Sequence, residues 1–306
     1  MRTRVNIKVL TVATVALIAL SGCSSQTYSA IEIPTASSVT ISTHEQPQVA
    51  RVIALANGSA EIISALGVKS ILVGRDIAST DDDLRDIPIV TSGHQVIPEK
   101  IISLKPDLVI IDKSTGPQNA LDALRSAGIK VLQTPEAWTL SDIALKVSAI
   151  AEAIGAPERG VKLNRAMVEL SPSPVAAASG TRIAFLYLRG SSAIYLIGGK
   201  GSGADSLISA IGAVDVGAGA LANPFNSMTS ESMVSLNPEV ILVMTKGLAS
   251  IGGVAGLVEL PGVAQTEAGK KRRIVAVDDS LLLSFGPRTP DLLVQLQKAV
   301  ERAMQK

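Results

Sequence analysis

Apolar residues along this chain alternate between short continuous runs and longer stretches with helical spacing, and the alternation occurs twice. In the first half, residues 51–55 read as a strand, 59–66 as a helix stopped by Gly67, and 70–73 as a second strand. The stretch 91–113, TSGHQVIPEKIISLKPDLVIIDK, then reads as loop, helix, turn and buried strand. Pro98 suits a first helical turn because its missing N–H would be unpaired there, and Pro106 stops the helix before the apolar run 108–111. A helix over 117–127 ended by Gly128 and a strand over 130–132 complete a βαβα order. That order predicts a mostly parallel sheet covered on both faces.

The longest helical pattern covers 139–170, with Ile143, Val147, Ile150, Ile154, Val161, Leu163 and Met167 on its apolar positions; the Gly155-Ala-Pro157 step should kink or divide it. Beyond the Pro- and Ala-rich stretch 171–180 the second half repeats the first in kind. Strands are expected over 182–188 and 193–197, a glycine-rich turn over 198–203, a helix over 204–211, a strand over 273–277 and a last helix running to about residue 304. One unit is repeated closely. Glu231 to Pro238 followed by EVILV echoes Glu99 to Pro106 followed by DLVII, which implies pseudo-symmetric lobes. The expected fold class is therefore α/β: two Rossmann-like lobes joined by one long helix, with a ligand cleft between them. The expected division is a signal peptide over 1–22, a flexible tether over 23–48, an N-terminal lobe over 49–138, an interlobe helix over 139–170 and a C-terminal lobe over 171–306.

The N-terminus reads as a processing signal. Arg2, Arg4 and Lys8 precede an apolar stretch over 9–20, too short for an ordinary span, and Leu20-Ser-Gly-Cys23 follows. This resembles a bacterial lipobox, which implies cleavage before Cys23, a lipid on its sulfur and tethering to the outer face of the cytoplasmic membrane. Cys23 is the only cysteine, so an exported chain has no disulfide framework. The 28 basic and 27 acidic residues become 25 and 27 once the signal is removed. With aromatics at 2% and no basic run beyond 270–273, neither an electrostatic footprint nor a stacking platform for nucleic acid exists. There is no G-x-S-x-G, and one loop histidine early in the chain is a poor general base for a hydrolase, so no enzyme is expected.

Candidate chemistry is sparse. His44 falls in the tether, leaving His94 as the one histidine of the folded part; Tyr187 and Tyr195 are its tyrosines. On chemistry alone a lone loop histidine is more often solvated, and a strand-end tyrosine is more often a core or rim residue.

Thr91-Ser-Gly-His94, Phe185-Leu-Tyr187-Leu-Arg189-Gly190 and Gly201-Ser-Gly-Ala-Asp205, within two lobes carrying paired Glu and Pro units, resemble the substrate-binding lipoproteins of bacterial ABC importers. The class carries vitamin B12, ferric siderophores and haem, and the motifs are similar to its actinobacterial haem-binding members, the HmuT type. The resemblance implies that His94 and Tyr187 ligate ferric haem from opposite lobes, with Arg189 two residues after the tyrosine. The chemistry fits: haem iron offers two axial positions, tyrosinate is a known haem ligand, and a phenol with a pKa of about 10 needs a nearby cation to ionise at neutral pH. At i+2 on a strand Arg189 shares a face with Tyr187 and is expected to reach the phenolate oxygen. Lys200 and Ser202, in the glycine-rich turn, are candidates for a haem propionate if the following helix start faces the cleft. Glu99 and Glu231 stand near helix starts, where the dipole alone would favour a carboxylate; the resemblance adds docking onto the permease, which works with its ATPase. The expected partners are haem, that transporter and the membrane, for a monomer. A corrinoid or ferric siderophore on the same scaffold is the alternative ligand.

Overall fold

The computed structural model describes residues 29–92, 95–172 and 180–306. Cys23, the 1–22 signal and His94 lie outside them. The first lobe carries a four-stranded sheet in the order Leu72–Arg75, Val52–Ala54, Leu108–Ile111, Lys130–Gln133, every pairing parallel. Strands Val52–Ala54 and Leu108–Ile111 are buried on both sides. Ala54 and Leu108 join one apolar cluster while Ile53 and Val109 join another, as period-2 alternation in a doubly covered sheet requires.

The second lobe is built on a seven-stranded sheet. Ile31–Ile33, Ile274–Val277, Val240–Met244 and Arg182–Arg189 run parallel, Ile194–Gly198 and Phe225–Ser227 continue antiparallel, and Val214–Asp215 pairs with the start of Arg182–Arg189. Here too the sequence alternates between faces, with Ile183 and Phe185 in one cluster and Ala184, Leu186 and Leu188 in the other.

The pattern over 139–170 is two helices, Leu140–Ala153 and Pro157–Leu170, so the Gly-Ala-Pro step divides it. Thr139 and Asp142 form a capping box at the first helix, satisfying its leading N–H groups. Pro157 opens the second. The two fold back on each other: Asn164 donates to the carbonyl of Ala144 and the hydroxyl of Ser148, and a Cβ at Gly160 would lie 2.7 Å from that of Ala151. One apolar cluster runs from Val52 and Leu108 of the first lobe through Ile143 and Leu163 of this hairpin to Phe185 and Val275 of the second. The lobes therefore share a core, and a large hinge motion would expose apolar surface at about 25 cal/mol per Å².

Residues 29–48, expected within a flexible tether, are a strap instead. Ile31–Ile33 is the edge strand beside Ile274–Val277, with Ile33 buried and Glu32 exposed. Further on, the amide of Ile41 donates to Ala65 and that of Gln48 to Ile154. An Ile-Glu-Ile alternation of three residues is too short to stand out among polar neighbours. His44 on this strap is exposed.

The repeated unit folds alike in both lobes. Helices Pro98–Ser103 and Ser230–Leu236 each lead to a residue with positive φ, Lys105 at 47° and Asn237 at 36°, followed at once by Pro106 or Pro238. The left-handed residue ends the helix and the proline forbids its continuation. Strands Leu108–Ile111 and Val240–Met244 follow directly.

Candidate functional site

The carboxyl ends of the parallel strands from both sheets face one another, the usual place for a ligand crevice in open α/β sheets. In the first lobe these ends lead to Asn57, Asp76, Asp112 and Thr134; in the second they lead to Tyr187 and Arg189, to Lys246, and to Asp279. A cavity of about 360 Å3 lies between them, bounded by Asn57, Asp76 and Ile77 on one side and Arg189, Lys246 and Asp279 on the other. A smaller pocket of about 80 Å3 continues past the shared Asn57 and Leu283 to Asp112, Thr134 and Trp138.

Tyr187 is half-buried on the same face of its strand as Ile183 and Phe185. Its ring meets Phe225 edge to face, centroids 5.7 Å apart at 70°. The guanidinium carbon of Arg189 stands 4.6 Å from the Tyr187 centroid, so the cation lies over the ring face. Arg189 donates through Nη1 to its neighbour Leu188 at 2.9 Å and pairs through Nη2 with Asp279 at 3.5 Å. The shared face follows from the i+2 spacing. The expected reach toward the phenol oxygen differs from this arrangement, because the Asp279 carboxylate draws the guanidinium across the ring.

His94 lies outside the described residues, but the strands beside it do not. Thr91–Ser92 pairs antiparallel with Gln95–Val96, Ser92 opposite Gln95. The Thr91 hydroxyl accepts from the amide of Ile77 at 3.0 Å, and the Val96 amide donates to Gly116 at 2.9 Å. The hairpin thus leans on the loops that follow Leu72–Arg75 and Leu108–Ile111, at the cleft end of the first lobe. The first of those loops is fixed by buried Arg75, which donates to the carbonyls of Ser79, Leu84 and Ile87 at 2.8 to 3.0 Å. Burial pushes the Asp76 carboxyl above its ordinary range, against hydrogen bonds from Ser79 and Ala78.

Lys200 and Ser202 do not line either cavity. Asp205 accepts from the amides of Gly201 at 2.8 Å and Gly203 at 3.0 Å, which uses two of the backbone donors expected for a ligand, while the Ser202 hydroxyl is buried without a hydrogen-bond partner among the described residues. Ser202 is 3% exposed and Lys200 points to solvent. The turn serves a different contact. Gly203 has φ of 87°, and a Cβ there would come within 3.0 Å of Phe285 and 3.4 Å of Trp138, so glycine lets the turn pack closely against Phe285 of its own lobe and Trp138 of the first.

Glu99 and Glu231 are both exposed, each the second residue of its helix. A helix feeding a parallel strand through a tight turn runs antiparallel to it, so both first turns lie at the cleft end of their lobes.

Sequence reading missed the polar seat where the lobes meet. Glu61, 4% exposed in helix Ser59–Ala65 of the first lobe, accepts from the side chain and the amide of Arg288 in the second, each at 3.0 Å. Lys146, also 4% exposed, donates at 2.8 Å to the carbonyl of Asn57 in the first lobe and at 2.8 Å to that of Ser284 in the second. Burial lowers its pKa to about 8, opposed by Glu61 and Asp112. A signal existed: Lys146 falls beside Ile143, Val147 and Ile150 on the apolar face of its helix.

Among solved structures, the chain is similar to the periplasmic haem-binding protein RhuT from Roseiflexus sp. RS-1, with 35% identity, a TM-score of 0.76, and coverage of 83% of this chain and 98% of that one. It is similar to the haem-binding protein HmuT at 29% identity and a TM-score of 0.75, covering 89% of this chain and 97% of that one. Solved variants of HmuT replace a histidine, a tyrosine, and an arginine two positions after that tyrosine, each by alanine. By sequence, the ABC transporter substrate-binding lipoprotein YvrC of Bacillus subtilis is 26% identical over 88% of this chain and 85% of its own length. The vitamin B12-binding protein of Vibrio parahaemolyticus is 25% identical over 67% and 74%. The family model described as periplasmic binding protein matches residues 52–281, most of both lobes, and the chain belongs to that family.

Proposed function

We propose that this protein is the extracytoplasmic haem-binding component of an ABC importer, holding ferric haem between its lobes and delivering it to the permease. The observation that carries the reading is Arg189 over the ring of Tyr187 at the cleft end of its strand. Tyrosinate is a hard anionic donor that ligates ferric haem iron, and Arg189 brings a cation to the same face of the strand. His94 supplies the opposite ligand from the hairpin of the first lobe. The spacing of Tyr187 and Arg189 matches the tyrosine and arginine replaced in HmuT, which supports the assignment. Glu99 and Glu231 dock the lobes on the permease, whose ATPase drives transport. Cys23 carries the lipid that tethers the protein, and the lobes meet across residues 139–170. Lys200 and Ser202 are left without a part in propionate binding.

The second reading is a corrinoid ligand, favoured by similarity to vitamin B12-binding proteins. Visible titration of residues 24–306 with hemin and with cyanocobalamin separates the two. Haem carriage predicts a saturable Soret shift with a tyrosinate charge-transfer band, altered differently by His94→Ala and Tyr187→Ala. A broad aggregate spectrum for all three proteins, with saturable binding of cyanocobalamin, would replace haem by a corrinoid.

A further inference from the structure

The charged groups around the cavity between the lobes are nearly all occupied by one another. Arg288 is held by Glu61 and stands 3.4 Å from Asp81. Arg189 is held by Asp279 and the Tyr187 ring. Asp76 is satisfied by Ala78 and Ser79, and Lys146, at the neighbouring pocket, by its two carbonyls. Lys246 is the exception. It lines the cavity, its side chain is exposed, and its ammonium has no hydrogen bond or ion pair among the described residues. Its backbone is nonetheless fixed, since its amide donates to Asp279 Oδ2 at 3.0 Å, the carboxylate that also holds Arg189. Asp279 therefore places a spare cation and the Tyr187–Arg189 pair in one register.

We infer that Lys246 receives a carboxylate of the bound ligand, and so selects an acidic macrocycle over one bearing neutral amides. The inference rests on the haem reading of the same cleft: haem carries two propionates, whereas the side chains of a cobalamin are amides. An ammonium pairs with a carboxylate through charge-assisted hydrogen bonds but gains far less from an amide. Lys246 is a specificity residue, separate from iron ligation by Tyr187.

The test compares hemin with its dimethyl ester, which keeps the iron and the ring but loses both charges. Wild-type protein is expected to prefer hemin by about three- to tenfold, the range for a charge-assisted contact open to solvent. Lys246→Gln is expected to lose most of that preference while keeping the charge-transfer band, and Lys246→Arg to restore it. Raising salt should erode the wild-type preference and leave the Gln variant unchanged. If wild type binds hemin and its ester equally, or if Lys246→Gln keeps the full preference, the role of Lys246 is overturned while haem binding stands. If hemin does not bind wild type at all, the haem reading falls and this inference falls with it.

Discussion

Arg51 enters the first strand of the first lobe and Arg182 opens the corresponding strand of the second, and the two do the same work. Arg51 donates to the carbonyl of Leu104 at 2.7 and 2.9 Å; Arg182 donates to that of Leu236 at 2.6 Å. Each closes the end of the repeated helix, where carbonyls lack partners within the helix. Two residues after the helix-stopping Lys105 or Asn237 comes a carboxylate that reaches back to the arginine's own backbone. Asp107 accepts from the amides of Ala50 and Arg51, both at 2.9 Å, and Glu239 from that of Arg182 at 3.0 Å. At the cleft end the likeness stops. The first lobe offers a hairpin, Asp76 and Asp112, while the second offers Arg189 and Lys246, with Tyr187 beneath Arg189. The repeated end builds a lobe, and the end that differs gives each lobe its own wall of the cleft.

The pair of Glu61 with Arg288, buried where the lobes touch, should respond most strongly to substitution. Glu61→Ala leaves Arg288 buried with its main partner gone, and breaking a buried pair this way costs about 3–5 kcal/mol. Urea unfolding followed by circular dichroism measures it. A loss below about 1 kcal/mol would mean that Asp81, 3.4 Å from Arg288 Nε, takes over the charge.

Lys146 gives a smaller effect that depends on pH. Its two carbonyl partners need only two N–H groups, which a neutral amine supplies, so the third proton of the ammonium is a burden in the folded protein. Its folded pKa is about 8, below the ordinary 10.5. Below pH 8 both states hold the proton and the burial penalty is present in full. Between about 8 and 10.5 the unfolded chain holds more protons, so this group makes stability rise with pH, by up to about 3 kcal/mol. Lys146→Met is expected to remove that rise in urea titrations at pH 7, 8.5 and 10. Parallel pH curves for the two proteins would refute the buried-ammonium account.

The same contrast explains what the sequence made legible. Both sheets, the divided helix and the repeated Glu and Pro unit are written in local patterns: runs such as Leu108–Ile111, proline after a helix, glycine where it divides. The pairing of Tyr187 with Arg189 was legible in part, because i+2 on a strand fixes the face, though not that Asp279, ninety positions later, turns the guanidinium across the ring. Glu61 with Arg288, Lys146 with Asn57 and Ser284, and strand Ile31–Ile33 beside Ile274–Val277 join residues far apart in the chain. No local rhythm announces such partners. The glycine-rich turn misled for the same reason: its donors are taken by Asp205, and only the folded turn shows it.

The smallest effect is the sharpest test of the repeat itself. Arg51→Ala and Arg182→Ala should each cost about 1 kcal/mol, the ordinary value for a hydrogen bond between an exposed side chain and a helix-end carbonyl. Because the two sit in different lobes with no shared partner, the double variant should lose the sum to within about 0.5 kcal/mol. Arg51 makes the more extensive contact, adding a hydrogen bond to Lys105 at 3.2 Å, so its loss should be the larger of the two. Neither change should alter hemin affinity, since both arginines act at the strand ends farthest from the cleft. If either variant weakened hemin binding with stability unchanged, the division of each lobe into a structural end and a functional end would be wrong.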